Sequence, residues 1–188
     1  MIVRPPVVAG SFYKLHPSML KEQIEKCFQH PLGPGKEQTT EEFVAAIVPH
    51  AGYEYSGPVA AWVYSKIKKA NYIILGPNHQ GFGPAFSVFP KGKWRTPLGW
   101  IEVDERMVKE LVSSNPLLEA DTIAHEYEHS IEVQLPFLQY RFDNDFKIVP
   151  IAILNYSPTF DFLEECKAVA KTIAVSYTHL TLPTTERE

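Results

Sequence analysis

Two histidines, His50 and His79, each follow a short apolar run and sit in a turn of small residues. Phe43 to Val48 leads through Pro49 to His50, with Ala51 and Gly52 behind it; Tyr72 to Leu75 leads through Gly76, Pro77 and Asn78 to His79, with Gly81 and Gly83 behind it. An imidazole on such a turn can bind a metal ion, exchange a proton or simply hydrogen-bond the loop. Either histidine alone reads best as a loop contact; the pair, if brought together, reads as half of a metal site. A third group of candidates is the segment His125 to Gln139, which holds His125, Glu126, Glu128, His129, Glu132 and Gln134 among Ile131, Val133, Leu135 and Phe137. His125-Glu126-Tyr127-Glu128-His129 matches, letter for letter, the His-Glu-x-x-His pattern of a zinc-hydrolase helix. The alternative is a capped, solvated helix start, and Pro136 interrupts any helix soon afterwards.

The elements around the first pair suggest why they would meet. Ser56 and Pro58 read as the cap and first turn of a helix running to Lys69, with Val59, Trp62, Val63 and Ile67 on one face. Strand, helix and strand at this length form a right-handed βαβ unit, whose parallel strands end on the same edge of the sheet. His50 and His79 would then project from neighbouring loops at the carboxyl edge, where open α/β sheets place ligands.

The rest of the chain is consistent with one α/β domain. Met1 to Ala9 reads as an edge strand or extended arm, and Gly10 to Tyr13 as a turn whose two aromatics anchor a packing corner. Pro17 to Phe28 is an amphipathic helix, and His30 to Glu37 a surface loop; His16 and His30 sit in polar surroundings. Phe86 to Phe89 is a strand, Trp94 to Val103 a hairpin or a loop over the site, and Asp104 the N-cap of the following helix. Lys147 to Leu154 is a strand that Pro150 assigns to an edge or bulge, and Pro158 to Val175 a helix. Residues 176–188 are Thr-rich without periodicity and read as an unstructured, foreign tail on a domain spanning residues 1–175.

With 188 residues and 45% hydrophobic content, the chain can bury a proper core. A net charge of −4 without a basic stripe argues against nucleic acid. The sequence has no run long enough to span a bilayer and no apolar leader, so the expectation is a cytoplasmic protein without a membrane partner. Cys27 and Cys166 form no ligand motif and read as small core hydrophobes.

Five ordered motifs carry a resemblance: Gly10-Ser11-Phe12-Tyr13; Pro49-His50-Ala51-Gly52-Tyr53 with Tyr55-Ser56-Gly57; Gly76-Pro77-Asn78-His79; Thr96-Pro97-Leu98-Gly99; and Glu128-His129-Ser130-Ile131-Glu132 with Leu135-Pro136. Together they resemble the Memo family, called AmmeMemoRadiSam system protein B in bacteria and archaea. That family is similar in fold to the LigB-type class III extradiol dioxygenases. The resemblance implies an α/β fold, a mixed central sheet flanked by helices, incomplete at the C-terminus. It implies His50 and His79 as metal ligands, Glu128 and His129 as catalytic residues lining the cavity, and Tyr53, Tyr55 and Asn78 as pocket residues. The family's later Ser-Asp-x-x-His segment and its further cysteine have no counterpart, and Cys166 comes too early to substitute. A third ligand is therefore expected to be missing, which leaves weak binding by two imidazoles and a bare sheet edge.

Three functions follow as expectations. The first is a redox enzyme using iron or copper at His50 and His79 on a small-molecule or peptide ligand. The second is a non-catalytic peptide- or protein-binding module. The third is a zinc hydrolase on His125, Glu126 and His129. The family name also implies AMMECR-like and radical SAM partner proteins.

Overall fold

A computed structural model describes residues 1–35, 44–154 and 159–180. The chain forms β1 (Val3–Arg4), α1 (Pro17–Gln29), α2 (Tyr53–Tyr64), β2 (Tyr72–Pro77), β3 (Phe86–Val88), β4 (Lys93–Thr96), β5 (Gly99–Val103), α3 (Glu105–Ser114), β6 (Leu118–Ala120), α4 (Leu135–Phe142), β7 (Lys147–Ile153) and α5 (Phe160–Leu180). The seven strands make one mixed sheet. β7 is its spine: β2 runs parallel to it from Tyr72↔Ile148 to Pro77↔Ile153, β5 pairs with its first two residues, and β3 lies antiparallel to its last three. β4 and β5 form an antiparallel hairpin, β1 joins β4, and β6 joins β3. The expected mixed α/β sheet with flanking helices is therefore present. One group of helices is α1, α2 and α4; α3 and α5 form another. Between these elements Trp94, Phe86, Phe89, Phe137, Leu20, Ile24, Ile101 and Ile148 are fully buried. Among the described residues no helix is long and apolar enough to cross a membrane.

Several boundaries differ from the sequence reading for identifiable reasons. Val44 to Val48 forms no strand, and Ile47 is 97% exposed; Phe43 lies outside the described residues. The parallel partner of β2 is β7, more than 70 residues later, rather than the stretch before His50. Apolar composition alone does not choose a strand's partner, and the full-length ladder with β7 wins. α2 starts at Tyr53, not Ser56, because Gly52 serves as its N-cap and the Ser56 hydroxyl bonds back to the Ala51 carbonyl at 3.2 Å. It ends at Tyr64 and buries Tyr53, Gly57, Ala60, Ala61 and Tyr64, leaving Val59 and Trp62 exposed. Small residues win that face because they admit α1 closely; a β-carbon on Gly57 would collide with the Cys27 sulfur.

Pro150 sits in the spine strand, not at an edge. Phe89 N–H donates to its carbonyl at 3.0 Å just beyond the end of β3, so the missing N–H of proline costs no ladder bond there. Asp104 caps α3 as expected, its carboxylate accepting from Met107 N–H at 3.1 Å. α5 continues past Val175 to Leu180, and Ser176 is buried. Each helical residue added beyond Val175 gains a backbone hydrogen bond for one residue fixed, so a Thr-rich composition does not by itself end the helix. Residues 181–188 lie outside the described residues.

Candidate metal centre

His50, His79 and His129 converge. Their ring centroids stand 5.3 Å (His50–His79), 6.0 Å (His50–His129) and 4.7 Å (His79–His129) apart. One nitrogen from each lies within 4.8 Å of the others. The expected pair meets, although no strand delivers His50, and the third imidazole comes from the segment read as a pocket wall. A tetrahedral ion with Zn–N bonds of about 2.1 Å holds its ligand nitrogens about 3.4 Å apart, so small side-chain rotations close the set. The donors fit: imidazoles suit zinc, copper, iron and nickel.

β2 supplies His79 through its last residues. Asn78, a predicted pocket residue, is buried and builds the turn: its amide donates to Phe82 O at 2.7 Å and its carbonyl oxygen accepts from Gln80 N–H at 3.1 Å. Gly76 lets the strand abut the 128–131 turn; a β-carbon there would meet Ile131 Cγ1 at 2.9 Å. The Ser130 hydroxyl ties the same turn to the Pro77 carbonyl at 2.9 Å.

Glu128 is the hub beneath the imidazoles. It is buried and accepts from His79 N–H (2.6 Å), His79 Nδ1 (3.0 Å), His129 N–H (2.8 Å) and Ser130 N–H (2.8 Å). A carboxylate only accepts, so His79 carries its proton on Nδ1 and leaves Nε2 with a free lone pair. Burial opposes ionisation of Glu128, but the bonds from Ser130 and His79 outweigh it and hold the carboxyl below its ordinary range. Burial, with the neighbouring His79 and His50, holds His129 below the ordinary histidine range against the pull of Glu128, which favours the neutral ligating form.

The 125–139 stretch is not one helix. It consists of 3₁₀ turns at Ile123–His125 and Glu132–Gln134 followed by α4, which carries Pro136 in its first turn, where a missing N–H is harmless. His125 and His129 therefore do not share a helix face, and the zinc-hydrolase arrangement on His125, Glu126 and His129 is not formed. His125 is instead a core residue against Phe89 and Trp94. The Ser87 hydroxyl donates to Asp121 at 3.0 Å and so accepts from His125 Nε2 at 3.1 Å, leaving Nδ1 without a partner among the described residues.

Burial pushes His125 down to about 4, against the opposing pull of Asp121. Its folded value lies below the unfolded value of about 6.5, so the unfolded chain takes up the proton first. The stability this provides is whole above about pH 6.5 and is lost as pH falls towards 4, up to about 3 kcal/mol. In urea melts across that range, the stability difference between the wild type and His125→Gln should shrink by that order; a constant difference would refute it.

The other predicted pocket residues fare unevenly. Tyr53 is buried: its ring packs on Phe137 (4.7 Å) and Tyr13 (5.5 Å), and its hydroxyl donates to Val133 O at 2.7 Å. A ring with its one polar atom satisfied belongs in the core. Tyr55 is exposed on the first turn of α2. Phe12, read as a packing corner, faces His129 at 4.7 Å and forms a wall of the site.

Sequence reasoning also missed Arg4. Buried in the opening arm, it donates to His125 O at 3.1 Å, to Glu128 O and to Glu132, and lies over Trp94 at 4.5 Å. Glu132, fully buried, also accepts from Val7 N–H (2.9 Å), Val8 N–H (3.1 Å) and the Tyr13 hydroxyl (2.6 Å). A single arginine within an otherwise apolar arm was the available signal.

A mixed sheet with three converging imidazoles and a buried carboxylate beneath them defines an α/β protein with a site that could hold a metal ion. The chain belongs to the Memo-like protein family, which matches residues 4–177. It is 51% identical over 167 residues to a MEMO1 family protein of Sulfurisphaera tokodaii, covering 84% of this chain and 59% of that one. A MEMO1 family protein of Ignicoccus hospitalis is 48% identical over 168 residues (85% and 59%), and one of Saccharolobus islandicus 50% over 165 residues (82% and 58%). The chain thus spans about three-fifths of the length of these curated relatives.

Proposed function

We propose that this protein binds one divalent transition-metal ion through His50, His79 and His129, and that the ion serves redox chemistry with iron or copper. The observation that carries the reading is the set of three imidazole nitrogens within 4.8 Å of one another. When bound, such an ion supplies Lewis acidity or electron transfer, and three protein ligands leave positions for an exogenous molecule. The side chain of His79 is 41% exposed, so that side is open to solvent. The protein's own groups fix the donors: Glu128 holds the His79 tautomer, and Phe12 covers one side of His129.

Titration of metal-free protein with Zn²⁺, Cu²⁺ and anaerobic Fe²⁺ tests this. One equivalent should bind, and oxygen consumption by the iron- or copper-loaded protein should separate redox chemistry from simple binding. Absence of stoichiometric binding of any of these ions would end the proposal. Glu128→Gln replaces an accepting oxygen with an amide and removes the charge behind His79. Affinity should fall about 10- to 100-fold, read by calorimetry.

A further inference from the structure

We propose that Gln134 is a positioning residue that sets the distance between His50 and His129, and that Tyr64 fixes the direction of its amide. The inference rests on the metal-site reading above and extends it to a side chain that touches no ion. Gln134 is buried, and its Nε2 donates to Pro49 O and to Ser130 O, each at 3.2 Å. The first carbonyl immediately precedes His50; the second immediately follows His129. One amide group therefore bridges the two loops that carry two of the three imidazoles.

Its orientation follows from chemistry. Both carbonyls can only accept, so the amide nitrogen must face them. The oxygen then faces the Tyr64 hydroxyl, which donates to it at 2.5 Å. Tyr64 is itself fixed by stacking on Phe137 at 4.8 Å and 6°. The brace matters because residues 44–52 belong to no helix or strand, so no backbone ladder holds Pro49 and His50 in place. The described ties flanking His50 are the Gln134 bond to Pro49, the Ser56 hydroxyl on Ala51 O at 3.2 Å, Tyr55 N–H and Ser56 N–H on Gly52 O at 2.9 and 3.1 Å, and Tyr53 N–H on Phe12 O at 2.8 Å. Of these, the Gln134 bond alone also reaches the His129 turn.

The test compares Co²⁺ binding and its visible spectrum in the full chain with Gln134→Met, Gln134→Glu and Tyr64→Phe, alongside His50→Ala. Methionine keeps the volume and loses the donors; glutamate keeps an acceptor for Tyr64 but presents a carboxylate to two carbonyls. Both should stay folded by circular dichroism, bind Co²⁺ about 10- to 100-fold more weakly, and lose d–d intensity as the ligand set loosens. Tyr64→Phe should show the same spectral change with a smaller loss, and it carries the test if a Gln134 variant does not fold. A folded Gln134→Met protein with wild-type affinity and spectrum overturns the brace and leaves the metal site standing. If the wild type binds no Co²⁺, or His50→Ala binds it as well as the wild type, the metal-site reading fails and the brace fails with it.

Discussion

Glu132→Gln should destabilise the protein by about 3–5 kcal/mol, the cost of leaving one member of a buried ion pair uncompensated. The side chains of Arg4 and Glu132 are 2% and 0% exposed, so water screens neither. Against a typical total of about 5–15 kcal/mol, that loss approaches global unfolding at moderate temperature. Buried pairs are often replaceable by apolar residues of similar size, but this one differs in what else it satisfies. Glu132 accepts from two backbone N–H groups and a tyrosine hydroxyl, and Arg4 donates to two backbone carbonyls. An Arg4→Met, Glu132→Leu double variant would strand those groups, at roughly 1–3 kcal/mol each, and should be no more stable than the single one. Urea denaturation followed by tryptophan fluorescence measures both; a loss below about 1 kcal/mol for Glu132→Gln would contradict the argument.

The second large effect concerns the metal. Structural zinc sites with four ligands are worth about 10–16 kcal/mol, or roughly 3 kcal/mol per ligand, so removing one of three imidazoles should weaken binding about 100-fold or more. His50→Ala, His79→Ala and His129→Ala should each show this in calorimetric titration with Zn²⁺. His129 is the discriminating case. The family resemblance implied a catalytic residue lining the cavity, by hydrogen bonding or as an acid–base group, which predicts unchanged affinity, whereas its ring 4.7 Å from His79 and its depressed proton affinity favour ligation. Retention of wild-type affinity in His129→Ala would return it to the hydrogen-bonding or acid–base role.

The residues disclosed the two histidines, partly by a wrong route, and the family resemblance implied the mixed sheet. His50 and His79 were expected to meet because parallel strands carried both. Among the described residues Val44 to Val48 forms no strand, and the Pro49 carbonyl before His50 is bonded by a side chain from a distant turn. Periodicity reports local burial and is silent on pairing across long loops, so β7 as the partner of β2 was not legible. The His-Glu-x-x-His letters were legible but misleading: His125 through His129 traverses turns, and the spacing rule holds only on a continuous helix. The face of α2 was misassigned because bulky residues were taken as the inner ones, while Gly57 meets α1 at Cys27 and Ala61 is buried. Arg4, Glu132 and Gln134 act across 70 to 128 residues of chain; a lone arginine in an apolar arm hints at a buried partner, but nothing local marks which residues such bonds join.

The opening arm carries a consequence for biosynthesis. Arg4 is clamped to a carboxylate 128 residues further along, and Phe12 leans on an imidazole made nearly as late. No nascent fragment ending before that carboxylate can seat Arg4 in its ion pair, so the guanidinium stays in water until Glu132 has been made. Contacts closing such long loops are slow to form. The three imidazoles can likewise converge only once the turn that carries His129 has been made.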